Sequence, residues 1–273
     1  MAEKLFQNLW RLEIPLEGNP LQEINDYLIL GERNLLIDTA FREEPCRRAL
    51  LDQLRELNVD LGRTDIFLTH LHSDHSGLST ELHRPGCRIY ISEIDGKHLI
   101  THASDVFWRA LCADAVRDGF SEEEMERLWG TNPARESAPE IFSGYTYLHD
   151  GDELACGPYR LRCLWTPGHT PGHLCLYEAE KKLLFSGDHI LFHITPNICR
   201  WAEMPDALGS YLESLRKIRA LPVRTVLAGH RRQTGNLAAR ADELRRHHVC
   251  RIAETLRIVR EQPGLTPIRS PAG

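Results

Sequence analysis

The residues best placed to do chemistry are histidines and aspartates gathered at the ends of apolar runs. The segment His70-Leu71-His72-Ser73-Asp74-His75 puts three imidazoles and a carboxylate within six positions, and His169, Asp188 and His230 follow singly. Four runs read as strands that end directly in such residues: IFLT before His70, CLWTPG before His169, LLFSG before Asp188 and TVLAG before His230. Strands emerging side by side would collect these ends on loops at one edge of a rigid scaffold. His70 and His72 are two apart, so an extended segment turns both side chains to one side, where they can grip one ion. Asp74 and His75 follow where the chain must turn, which can direct them to a second ion. Imidazole and carboxylate suit zinc, and three protein ligands with one open position mark a catalytic site. The assignment is His70, His72 and His169 to one metal and Asp74, His75 and His230 to the other, with Asp188 bridging. A lone His-x-His would be weak; the cluster followed in order by three strand-end ligands is specific.

Two zinc ions bring four positive charges, and Asp74, Asp188 and a bridging hydroxide return three, leaving a centre of about +1 that favours an anionic or strongly polarised substrate group. The expected reaction is attack by the metal-bound hydroxide, with Asp74, His75 and Asp188 as the catalytic set and no serine or cysteine nucleophile. Iron or manganese could stand in for zinc. His189 and His193, in GDHILFHITPNI, lie close to Asp188 in sequence and are candidates for touching substrate or handing a proton to the leaving group, although packing explains them as simply. His173 opens the next strand and reads as structural.

The elements that must position these residues follow from hydrophobic period. Strands are expected at NLWRLEI, NDYLIL, LLID, IFLT and CRIYIS, with a helix over Glu44–Leu57. From about 95 to 143 no good strand appears, and Phe107, Trp108, Leu111, Phe120 and Trp129 fall on helical spacings, a helical insertion. Phe107 and Trp108 could form a lid and an apolar wall for an acyl chain. Strands resume as YTYLHD, YRLRCLW, HLCLYEA, KLLFS and VRTVLA. A helix covers about 205–220, and a C-terminal helix about 236–261 carries the apolar stripe Leu237, Ala241, Leu244, Ile252, Leu256 and Val259 opposite Arg245, Arg246, Arg251, Arg257 and Arg260. Two β-rich halves with helices suggest a layered αββα sandwich, one domain over 1–262 with a tail at 263–273.

The 42% hydrophobic content allows a full core and rules out disorder as the default. The net charge of −6, with both signs interspersed, does not indicate a dominant nucleic-acid surface. The eight cysteines are scattered without a C-x-x-C pair and read as buried thiols of a reducing compartment. Charges at Lys4, Arg11 and Glu13 interrupt any signal peptide, and no run reaches membrane-spanning length, so a cytoplasmic protein with no membrane partner is expected. A homodimer is left open.

THLHSDHSG, TPGHTPGH, FSGD and LAGH resemble the successive motifs of the metallo-β-lactamase superfamily, from about Asn8 to His230. The resemblance implies the four-layer αββα fold and the dinuclear site already assigned. It also implies that Asp38, in LLIDTA, supports the site from outside by hydrogen bonding to a ligand. Ala40 stands where the family commonly has glycine. Glyoxalase-like thioesterases and lactonases share these motifs, so the leading reading is hydrolysis of an ester, thioester or lactone of a small organic acid. The alternatives are a phosphodiesterase acting on RNA or nucleotides, suggested by the charge of the centre and the basic terminal helix, and an iron-dependent oxidoreductase resembling persulfide dioxygenases. A binding-only module has little use for seven intact ligands.

Overall fold

In a computed structural model, residues 1–102, 105–130 and 132–264 are described. Their strands form two sheets. The first has seven strands in sequence order, β1 (Glu3–Phe6), β2 (Leu9–Pro15), β3 (Glu23–Ile29), β4 (Asn34–Ile37), β5 (Thr64–Phe67), β6 (Ile89–Ser92) and β7 (Thr146–Leu148). The second has five, in the order β12 (Thr225–Ala228), β11 (Leu183–Gly187), β10 (Leu174–Glu178), β9 (Tyr159–Trp165), β8 (Glu153–Cys156).

Alternation within the strands decides the layers. One face of β2 and β3 presents Leu12, Ile14, Ile24 and Leu28 to Cys46, Leu50 and Leu54 of α1 (Glu44–Glu56). The other face, with Tyr27, Ile29, Ile37 and Phe67, meets Tyr159, Leu161, Leu176 and Phe185 of the second sheet. The outer face of that sheet, Leu164, Cys175 and Leu184, is covered by Tyr211, Leu215 and Ile218 of α8 (Ala207–Arg219) and by Leu237, Ala241 and Leu244 of α9 (Leu237–Glu261). Helix, sheet, sheet, helix is thus the four-layer sandwich expected from the motifs. Short helices α2 (Ser73–Ser76) and α3 (Ser79–Leu82) follow β5, and α4 (Glu93–His102), α5 (Asp105–Arg117), α6 (Glu122–Gly130) and α7 (Pro133–Glu136) make up the helical insertion before β7.

The elements differ from expectation in places. Edge strands β1 and β8 escape the sequence pattern because they are short and, apart from the buried Cys156, alternate between half-buried and exposed positions. In α9 the apolar stripe docks only over its first half: Ile252, Leu256 and Val259 are exposed. The reason is length. At about 1.5 Å per residue, a 25-residue α9 outruns the 13-residue α8 beside it. In the insertion Trp108 is buried against Met125, while Leu111 is 37% exposed; the Phe107 and Trp129 side chains, like the tail from 265, lie outside the described residues. All eight cysteines are free thiols, five of them buried. No helix among the described residues is long and apolar enough to cross a membrane.

Candidate metal centre

Strand direction gathers the site. β4, β5 and β6 run parallel, so Asp38, the His70–His75 cluster and the start of α4 all follow strand ends at one edge of the first sheet. In the second sheet β9 and β11 are both antiparallel to β10, and β12 is parallel to β11. Their ends therefore deliver His169, Asp188 and His230 to one edge as well.

There the side chains converge as two sets. The ligand atoms of His70, His72 and His169 lie within 4.8 Å of one another, as do those of Asp74, His75 and His230, and His70, His75 and Asp188 form a third such group. Asp188 sits between the sets. Its Oδ1 is 3.3 Å from His75 Nε2 and 3.5 Å from His230 Nε2, while Oδ2 is 3.6 Å from His169 Nε2. Asp74 Oδ2 is 3.2 Å from His230 Nε2.

The outward nitrogens of four of the five rings are held by the fold, whereas His72 Nδ1 lies 3.1 Å from His70 Nε2. His169 Nδ1 donates to the Asn197 carbonyl and His230 Nδ1 to the Glu23 carbonyl, each at 2.6 Å. His75 Nδ1 donates to Asp38 Oδ2 at 2.8 Å. The Thr69 hydroxyl is committed to Asp38 at 2.8 Å, so it accepts from His70 Nδ1 at 3.0 Å. Anchoring one nitrogen aims the other inward. The Nε2 atoms of His75, His169 and His230, and Asp188 Oδ1, are accordingly buried without a hydrogen-bond partner. Buried polar atoms are normally satisfied, and these orphans all face the same space. The donor set, imidazole and carboxylate on three-ligand sets, fits a pair of divalent cations.

Charge separates the two sets. Burial drives the imidazoles of His70 and His169 down and that of His72 to about 3, so all three are neutral at pH 7. For His75 and His230 burial acts in the same sense but is outweighed by carboxylates: Asp38, Asp188 and Asp74 raise His75, and Asp188 and Asp74 lift His230 to about 10. Burial likewise opposes the charge on Asp74 and Asp188, yet these imidazoles hold Asp74 down to about 2 and Asp188 well below its usual range.

Asp38 lies behind His75 and Thr69, and with φ +60 it occupies the left-handed region that aspartate tolerates. His189 is fully buried between the rings of His173 and Tyr211, and His173 stacks behind His70 at 5.1 Å. His193 is exposed on the following loop. Several supporting residues were not expected from the sequence. Asn25 Nδ2 donates to the Ala228 and Arg231 carbonyls and Tyr27 Oη to Ala228, pinning the loop that carries His230. Arg240 of α9 donates to the Leu191 and Ile194 carbonyls beyond Asp188. Trp201 donates to the His169 carbonyl at 3.3 Å and lies beside the His72 ring, tilted 27° to it, and its neighbour Arg200 pairs with Asp118, just past α5. A cleft of about 340 Å³ opens beside His72, with Leu71, Leu99, Trp108 and Ile141 as its apolar wall and Arg42 and Arg135 at its rim.

Residues 20–230 match the sequence profile of the metallo-beta-lactamase superfamily. A metallo-beta-lactamase family protein from Thermus thermophilus is 33% identical and superposes with a TM-score of 0.79, over 94% of this chain and 84% of its own. Lactamase-like protein adaB of Aspergillus niger is 26% identical across 93% of this chain. Atrochrysone carboxyl ACP thioesterase AacuM of Aspergillus aculeatus is 28% identical across 89%. The chain spans 65% of the length of the former and 63% of the latter. With its motifs, layers and converging ligands in agreement, the chain belongs to the metallo-beta-lactamase superfamily.

Proposed function

We propose that the protein is a dinuclear metal-dependent hydrolase of thioesters, or of similarly activated esters, of small organic acids. The observation that carries this reading is the convergence of buried, unpartnered ligand atoms from both sheets on one space, with Asp188 facing both sets. When bound, a pair of divalent cations, zinc by the donor set, supplies a nucleophile at neutral pH and a positive field for the oxygen that gains charge. The residues of the chain do the rest. His70, His72 and His169, kept neutral by burial, offer lone pairs without having to shed protons. Asp38 orients His75 directly and His70 through Thr69. The Trp201 ring lies beside that of His72, with 6.4 Å between their centroids.

The cleft supports an acyl substrate. Its wall of Leu71, Leu99, Trp108 and Ile141 would bury a hydrocarbon chain, while Arg42, 3.6 Å from Glu140, and Arg135 sit where an anionic group of the substrate would lie. The thioesterase named among the relatives points the same way. The test is a panel of acyl thioesters, lactones, aryl esters and a bis-phosphodiester with the metal-loaded protein. We expect thioesters to give the highest kcat/KM, and Trp108→Ala to raise KM several-fold for long-chain acyl thioesters while acetyl thioesters change less than about twofold, since one lost apolar contact is worth about 1–3 kcal/mol. A preference for the phosphodiester that collapses with rising salt, or oxygen uptake with a persulfide, would contradict it.

A further inference from the structure

Asp95 is a carboxylate with no contact to solvent, and it is surrounded by donors from two loops. Its Oδ2 accepts from the Leu71 amide at 3.1 Å and from the Thr170 hydroxyl at 2.6 Å, and Oδ1 accepts from the Gly172 amide at 2.7 Å. Leu71 lies between His70 and His72, and Thr170 directly follows His169. The first loop leaves the first sheet and the second loop leaves the second, so one side chain ties the two sheets together beside the three-histidine set. Asp95 is itself fixed. Its amide donates to Ser92 Oγ at 3.2 Å, and it lies in the first turn of α4, where unpaired amides favour a negative charge. The approach is close enough that a Cβ at Gly172 would come within 2.5 Å of Asp95 Oδ1 and 2.1 Å of Ser92 Oγ.

We propose that Asp95 is a positioning residue for the ion held by His70, His72 and His169, setting the spacing of their nitrogens by fastening the two ligand loops to one carboxylate. It acts through the backbone on either side of the ligands, whereas Asp38 acts on a ligand ring. The inference rests on the reading of these imidazoles as a metal site.

The test is titration of chelator-stripped protein with Zn2+ against a chromophoric competitor, with anomalous scattering from crystals grown at one equivalent of zinc to locate the retained ion. The unmodified chain should take up two ions, and fewer would contradict the dinuclear reading and this assignment with it, before any variant is made. Asp95→Asn preserves shape but places an NH2 group among N–H and O–H donors. We expect the ion at His70, His72 and His169 to weaken tenfold or more, as loss of an outer partner does elsewhere, while the ion at Asp74, His75 and His230 changes less than about twofold. Thr170→Val, which removes one of the three donors and keeps the carboxylate, should weaken the same ion about threefold, and it decides the matter if near-ultraviolet dichroism shows Asp95→Asn unfolded. Equal weakening of both ions, wild-type affinity at both, or selective loss of the Asp74 ion would overturn the proposal.

Discussion

At the scale of single residues, the two ligand sets differ in the protons they must lose. His70, His72 and His169 are neutral in the metal-free protein because burial disfavours their charged forms, with His72 lowered to about 3. His75 and His230 are protonated there, because facing carboxylates outweigh burial and lift His230 to about 10. An ion entering among Asp74, His75 and His230 displaces protons, and one entering among the other three does not. Protons compete with the metal below a raised pKa, so affinity at the second set should fall about tenfold per pH unit for each proton released. From pH 8 to pH 6 the first ion should keep its affinity while the second weakens. Titration calorimetry in two buffers of different ionisation enthalpy measures the release, and equal release on both binding steps would contradict the account. The converging side chains could be picked out as candidates in the sequence because the His70–His75 cluster, His169, Asp188 and His230 each follow an apolar run. Asn25, Tyr27 and Asp95 were not, since they act through hydrogen bonds to residues such as Ala228, 203 positions from Asn25, which no local pattern encodes. Asp95 left one trace: it follows β6 as Asp38 follows β4 and His70 follows β5.

Among the elements, the site depends on strand ends that approach more closely than side chains permit. A Cβ at Gly229, between β12 and His230, would lie 2.7 Å from both Asp188 Oδ1 and His75 Cε1. Neither neighbour can yield without moving a ligand. Gly229→Ala should therefore lower hydrolysis by at least about a hundredfold, the range reached by small displacements of reacting groups, and should lose the ion at the second set while far-ultraviolet dichroism stays native. Near-wild-type turnover would show that this approach has slack. A contrasting substitution is Arg200→Ala. Its pairs with Asp114 and Asp118 lie at the surface, and such pairs contribute about 0–1 kcal/mol, so the melting temperature should fall by less than about 4 °C. Most elements could be read from period alone, including α9, whose first turn is capped by Asn236 Oδ1 accepting from the Ala239 amide at 2.8 Å. The docking of α9 could not, because a helical stripe records which face is apolar but not how far a neighbour extends. Arg240 shows the same limit: it looks like part of a basic surface, yet it is buried and holds the loop beyond Asp188.

For the whole molecule, the candidate centre lies where two sheets meet, and each sheet contributes side chains to both sets. His70, His72, Asp74 and His75 come from the first sheet, and His169, Asp188 and His230 from the second. Bound ions would therefore fasten the halves, and ions present at a thousandfold over Kd add about 4 kcal/mol each. Chelation should lower the melting temperature by roughly 10 °C or more at about 2–4 °C per kcal/mol, and an unchanged melt would argue that the ligands are not occupied. The four layers follow from alternating strands and from helices α1, α8 and α9, so the architecture was visible early; the helical insertion was visible as a region, but its cleft brings Leu71, Leu99, Trp108 and Ile141 together, which no local pattern relates. The most direct measurement is the metal content of the purified protein with the ions located by anomalous scattering. The account predicts two divalent cations per chain, one among His70, His72 and His169 and one among Asp74, His75 and His230, with Asp188 between them; a reconstituted protein with no ion, or with ions elsewhere and these side chains apart, would contradict it.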